Sequence, residues 1–197
     1  MESLEKIGQL RDAIDRDDII GVQNLMTRNP GLHKARLGYG QDGPLTLAAE
    51  CRVPTESRLS IVRWMIENGS DVHQGGDGPL MRAALSGNRI PMMELLVSHG
   101  ANVNAEWHNG YPIIFAACEA VDPVSLKWLL DHGANPNCDR VGREHRGTAL
   151  EYVIGSYVRS PQLGACIDLL VEAGGVSKYD AVVLDALRGN LVRVAAH

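Results

Sequence analysis

Phenylalanine is almost missing from this chain. One Phe stands among 197 residues, and all aromatics together make up 5%. A core must then be assembled from Leu, Ile, Val, Ala and Met, which suits helices stacked closely on helices. A basic excess is missing as well: 19 Lys and Arg face 24 Asp and Glu, a net charge of −5. That argues against nucleic acid as a partner, because phosphate binding needs a cationic face. The four cysteines, Cys51, Cys118, Cys138 and Cys166, form no CxxC pair and no zinc-like spacing. They read as small apolar fillers in a reducing compartment. No run approaches the ~18 apolar residues of a membrane-spanning helix, so no membrane partner is expected. Met1-Glu2-Ser3-Leu4-Glu5-Lys6 lacks a basic region followed by an apolar one, so no signal peptide is expected and the location reads as cytoplasmic.

Catalytic signatures are absent too. Seven histidines include no His-x-x-x-His or His-Glu-x-x-His pattern, and no Gly-x-Ser-x-Gly elbow occurs. His99 and His132 stand in the same register, each just before a glycine, and read as helix-terminal residues that favour the dipole. Gly38-x-Gly40-x-x-Gly43 has the form of a dinucleotide-binding fingerprint. That motif must follow a buried strand and open a helix, and no apolar strand precedes it here; three glycines in a tight turn explain it. The chain reads as no enzyme, with no cofactor and no metal.

What is abundant is recurrence. Pro44-Leu45, Pro79-Leu80 and Pro112-Ile113 each open a short apolar helical segment, with Ala149-Leu150 as a degenerate fourth. Ala48-Ala49, Ala83-Ala84 and Ala116-Ala117 follow, lapsing to Val153-Ile154 in the last unit. A second helical segment ends at Gly69, Gly100, Gly133 and Gly174, spaced 31, 33 and 41 residues apart. Gly100-Ala101-Asn102-Val103-Asn104 and Gly133-Ala134-Asn135-Pro136-Asn137 close two of these units. Several motifs recurring in one order at a period near 33 resemble the ankyrin repeat, firmly over about Gly43–Gly175. The resemblance implies an all-α solenoid: about six stacked helix–turn–helix units with short β-hairpin-like fingers.

The whole chain, 1–197, then reads as one domain. Residues 1–36 form an N-terminal capping repeat with helices at Leu4–Asp17 and Ile19–Arg28; 37–74, 75–105, 106–138 and 139–177 are repeats; 178–197 is a C-terminal cap. The second unit has helices near Pro44–Cys51 and Leu59–Asn68, the latter capped by Ser57 or Thr55. Asp122-Pro123 and Ser160-Pro161 read as an N-cap followed by proline in the first turn. Tyr157–Leu163 lengthens the link inside the last full unit, and helices are expected at Asp180–Arg188 and Leu191–Ala196. Trp64 and Trp128 fall in equivalent rows and are expected to pack between units.

The resemblance implies a protein-binding module, with contacts on the concave face of first helices and on the fingers. Large side chains that the scaffold does not require mark the candidate site. Trp107, in Glu106-Trp107-His108-Asn109-Gly110-Tyr111, stands where the family has a small polar residue; it either offers an exposed anchor or folds back on its own hairpin. Tyr39 reads as its counterpart one finger earlier, beside Asp42. Arg140, Arg143 and Arg146 make the finger Cys138–Gly147 basic, fit for an acidic patch. On the inner rim, Arg82 replaces an apolar residue, and Glu50, Leu85, Ser86, Cys118 and Glu119 occupy positions where such proteins contact ligands. The expected protein-binding set is Tyr39, Asp42, Arg82, Trp107, His108, Tyr111, Glu119, Arg140, Arg143 and Arg146, on a monomer. The runner-up function is a single-domain inhibitor or immunity protein that occludes a toxin or enzyme, for which the acidic charge and lack of an appended domain are the motives.

Overall fold

The computed structural model of the protein describes residues 4–50, 53–87, 89–108, 110–138, 147–155 and 160–189. Its helices come in pairs. These are α1 (Leu4–Asp15) and α2 (Ile19–Arg28), α3 (Pro44–Ala49) and α4 (Glu56–Glu67), α5 (Gly78–Leu85) and α6 (Ile90–Ser98), α7 (Ile113–Ala120) and α8 (Pro123–Asp131), and α9 (Ala149–Gly155) and α10 (Leu163–Glu172); α11 (Ala181–Leu187) follows. The first helices pack in succession, α1 on α3, α3 on α5, α5 on α7, and α7 on α9, forming one layer. The second helices form the other, with α2 on α4, α4 on α6, and α8 on α10. Two-residue strands β1 (Glu106–Trp107) and β2 (Tyr111–Pro112) pair antiparallel, Trp107 opposite Tyr111.

The local chemistry explains the elements. Pro44, Pro79, Pro91 and Pro123 sit in the first turn of their helices, where a missing N–H costs nothing. Asp122 caps α8 by accepting from the N–H groups of Val124 and Ser125 at 3.1 and 3.3 Å. Thr55, rather than Ser57, caps α4, accepting from Arg58 N–H at 3.0 Å. After α6 the chain turns at Gly100, whose φ of 102° a side chain would resist. His99 and His132 each close the helix before that turn, with Nδ1 2.8 Å from the carbonyl four residues back.

Several boundaries differ from the expectation. Ser160 does not cap α10; its Oγ accepts from Gln162 N–H at 3.1 Å, and the helix starts at Leu163. Gln162 stands at its N-cap without a side-chain cap bond, and Gly164 lies against the backbone of Arg188. α1 stops at Asp15 and α11 covers Ala181–Leu187. Cys51, Tyr157, Leu191–Ala196 and most of the Cys138–Gly147 finger lie outside the described residues.

The core runs from Leu10 and Ile14 through Leu45, Leu80 and Phe115 to Leu170. In α7 six consecutive residues, Ile113–Cys118, are buried, because the helix is enclosed by α5, α8 and α9. A six-residue helix such as α3 is far below the length that holds alone in water; each Leu or Ile it buries contributes about 1.5–3 kcal/mol. Trp128 is buried, its ring stacked 3.8 Å from His132, while Trp64 is partly buried beside His33.

Asparagines tie successive fingers. Asn104 donates from Nδ2 to the Gly133 carbonyl at 2.9 Å and accepts on Oδ1 from Asn135 N–H at 2.8 Å. Asn137 repeats this with Gly174 and Val176 at 2.9 and 2.8 Å. One unit earlier His73 holds the equivalent position, and the work is divided: His73 Nδ1 meets Asp77 Oδ1 at 2.5 Å, and Asp77 Oδ2 accepts from Asn102 N–H at 2.6 Å. Asn104→Ala should cost about 1–2 kcal/mol for two bonds lost, read by urea denaturation with an unchanged m value.

His33 gives a pH dependence. It is buried, with Nδ1 2.7 Å from Ser70 Oγ, and burial lowers its pKa from the ordinary 6.5. The unfolded chain therefore binds this proton more readily than the folded one. The contribution is whole above pH 6.5 and is lost as pH falls below it toward the folded value. Melting temperature should drop between about pH 6.5 and 5, and His33→Gln should flatten that limb.

Candidate functional site

The first finger begins at Leu37, whose carbonyl accepts from Gly43 N–H at 2.9 Å, closing a loop over Tyr39 and Asp42. A short 3-10 turn, Tyr39–Gln41, lifts the Tyr39 ring outward, leaving it 51% exposed. The Asp42 side chain is 1% exposed. It reaches across the second finger to the third. Trp107 Nε1–H donates to Asp42 Oδ2 at 2.6 Å, and His108 Nε2 meets Asp42 Oδ1.

This crossing requires glycine in the middle finger. A Cβ at Gly75 would lie 2.3 Å from Asp42 Cγ, and one at Gly76 would lie 2.3 Å from the Glu106 carbonyl oxygen. The glycines of the Gly38–Gly43 motif have similar duties: a Cβ at Gly40 would meet Trp107 at 2.9 Å, and one at Gly43 would strike Gln74.

Aromatic contacts extend the cluster in both directions. Tyr39 stacks on Trp107, centroids 5.4 Å apart and planes 29° from parallel. Arg82 lies 4.5 Å from the Tyr39 ring centre and pairs with Glu50 through Nη2. Trp107 meets Tyr111 edge-on at 6.1 Å; Tyr111 meets Phe115 and Tyr152 in the same way at 6.0 and 6.3 Å. The hydroxyls of Tyr111 and Tyr152 both donate to Glu119 Oε2 at 2.8 Å. Burial, then Tyr152 and Glu119, push the Tyr111 phenol far above its ordinary range, so it remains a donor.

Tyr39, Asp42, Arg82, Trp107, His108, Tyr111 and Glu119 thus form one connected network. Arg140, Arg143 and Arg146 lie outside the described residues. Two details correct the sequence reading. Trp107 does not merely fold on its own hairpin; it is held by residues 65 and 68 positions earlier. Tyr39 stands two fingers before it, since the finger holding Gly75 and Gly76 intervenes. Sequence reasoning missed Tyr152 and this glycine pair. Two adjacent glycines at a finger tip were the available signal.

Burial raises the Cys118 thiol and, with help from Asp122, pushes Cys166 up to about 12, which keeps both protonated. Among the described residues, no three His, Cys, Asp or Glu side chains group to hold a metal ion, and no helix is long and apolar enough to cross a membrane.

Residues 45–140 match the sequence model of ankyrin repeats in three copies. This span of the chain is an ankyrin repeat array. An ankyrin repeat-containing protein of Treponema pallidum (strain Nichols) is 37% identical over 99 residues, covering 48% of this chain and 33% of its own length. An ankyrin repeat protein of Rickettsia bellii (strain RML369-C) is 27% identical over 149 residues, 61% of this chain and 37% of its own. The chain spans about a third of the length of these relatives. Ankyrin repeats generally serve as protein-interaction modules, which makes the network above a candidate contact surface.

The Asp42 crossing can be tested directly. Asp42→Ala leaves the Trp107 N–H without its acceptor and should cost about 1–3 kcal/mol. Tryptophan emission should shift to longer wavelength as Trp107 loosens, measured beside the unfolding curve.

Proposed function

We propose that the chain is a protein-binding module whose partner docks on the ridge running from Arg82 and Tyr39 across Trp107 and His108 to Tyr111 and Glu119. The observation that carries this reading is Tyr39. Half of its surface faces solvent, yet its ring is clamped between the Arg82 guanidinium and the Trp107 indole. An aromatic ring already held in place loses little freedom on binding, which is where interface energy concentrates. The carboxylates beneath are occupied: Asp42 by Trp107 and His108, Glu50 by Arg82, Glu119 by two tyrosines. They support the ridge, and the rings and cations at its crest meet the partner. In this reading the paired helices form six stacked units, of which 1–36 and 178–197 cap the array, and the arginines at 140, 143 and 146 extend the surface from the next finger.

The test is affinity capture from the native host, identified by mass spectrometry and repeated with Tyr39→Ala and Arg82→Ala. A partner should be lost from both variants, weakened at least about tenfold, while helical circular dichroism stays unchanged. Equal capture by wild type and variants removes this ridge as the docking site.

A further inference from the structure

The opposite side of the array carries a second surface that the ridge does not use. Between α8 and α10 runs an open groove of about 560 Å³. Its walls are one face of each helix: Val124, Lys127, Trp128 and Asp131 from α8, at three- and four-residue spacing, and Ala165, Asp168, Leu169 and Glu172 from α10. Its apolar lining comprises Ile90, Pro123, Val124, Ala165, Leu169 and the edge of the largely buried Trp128. Val124 on the wall is 50% exposed, although a solvent-facing helix position needs no branched apolar residue.

The groove is chemically polarised. Ile90, Pro123, Val124 and Ala165 lie toward the starts of their helices, Lys127, Trp128, Asp168 and Leu169 lie midway, and Asp131 and Glu172 stand at the ends of α8 and α10. Asp131 and Glu172 are the last residues of α8 and α10, and neither helix has a basic residue in its final turn. Negative charge at a helix C-terminus adds to the exposed carbonyl ends and works against the helix dipole, so the scaffold gains nothing from it. Lys127 offsets Asp131 and Arg188 offsets Asp168; Glu172 has no ion-pair partner among the described residues. One end of the groove is therefore net negative, and the other is hydrophobic.

We propose that this groove binds an amphipathic helix of a partner protein, its apolar face on Val124 and Leu169 and its Lys- or Arg-bearing end against Asp131 and Glu172. The groove follows α8, nine residues and so ~13 Å long, which matches two to three turns of a docked helix. This surface is separate from the ridge, so the two can fail independently.

The experiment uses the full chain and a fluorescein-labelled helical peptide of roughly 16 residues with Leu along one face and Lys clustered at one end. A matched peptide carries Glu in place of Lys. Fluorescence anisotropy should report binding of the Lys peptide and at least about tenfold weaker binding of the Glu peptide. Val124→Glu, at an exposed position that does not threaten the fold, should weaken the Lys peptide at least about tenfold. Glu172→Lys should weaken it by about fivefold at low salt and less at high salt. Tyr39→Ala should leave it unchanged. No binding of the Lys peptide up to about 1 mM, equal binding of both peptides, or an unchanged affinity for Val124→Glu would each overturn the proposal.

Discussion

A pair of short helices has apolar surface on more than one side and covers only one of them internally. Everything else in this molecule follows from that deficit. α3 has six residues and α9 seven, lengths at which an isolated helix does not persist. They are helical because Leu45, Ala48 and Ala49 are enclosed by α1, α4 and α5, and Ala149, Leu150 and Val153 by α7 and α10. Small residues at the Ala-Ala positions let the inner helices approach closely. The scarcity of phenylalanine belongs to the same constraint: the one Phe, Phe115, sits in α7, where Tyr152 of α9 stacks on it at 4.6 Å.

Stacking fixes the spacing of units but leaves their fingers to be joined. The joints are polar and repeat with the units. Asn104 and Asn137 each hold the next turn by one donated and one accepted bond. Where His73 replaces the asparagine, the imidazole cannot reach in the same way, and Asp77, in a left-handed conformation, supplies the missing acceptor. A buried arginine performs a comparable task at the first junction. Arg58 donates to the Ile14 and Ala48 carbonyls at 2.5 and 3.3 Å and pairs with Asp17, fastening α4 to α1 and α3 at once. Removing Asp17 would leave the buried Arg58 guanidinium without its ion-pair partner, which costs more than the bond itself contributed.

The repeat order was legible because its signals are local: a first-turn proline, an alanine pair, a closing glycine. The caps at Asp122 and the turns at His99 and His132 were legible for the same reason. What escaped was non-local. Nothing near Asp42 announces that its carboxylate will meet Trp107 and His108, because that contact depends on two glycines in a third segment. The start of α10 escaped likewise: Ser160-Pro161 carries a sound local signal, yet the Ser160 hydroxyl closes a turn with Gln162 N–H and the helix begins at Leu163. Asking which side chains the scaffold does not need picked ten candidates, of which the seven described ones lie in one contact network, whether or not they bind a partner. That question is blind to residues such as Tyr152, which looks like an ordinary helix position until its hydroxyl is seen on Glu119.

The same question separates the two faces of the molecule. On the ridge, each misfit residue has acquired an internal partner, so the surface is stiff and its charges are largely cancelled. In the reading proposed above, such a surface would discriminate by shape, since a partner would have to fit around a ring and a guanidinium held by internal contacts. The groove between α8 and α10 has the opposite character. Asp131 and Glu172 end α8 and α10, where the helix dipoles already place negative potential; Lys127 offsets Asp131, and Glu172 has no ion-pair partner among the described residues. Uncancelled charge beside exposed apolar surface is a cost to the free protein that binding can relieve. Stiffness on one side and unrelieved charge on the other are therefore two distinct routes to affinity: the first limits the entropy lost on docking, and the second supplies attraction that the folded chain does not satisfy by itself.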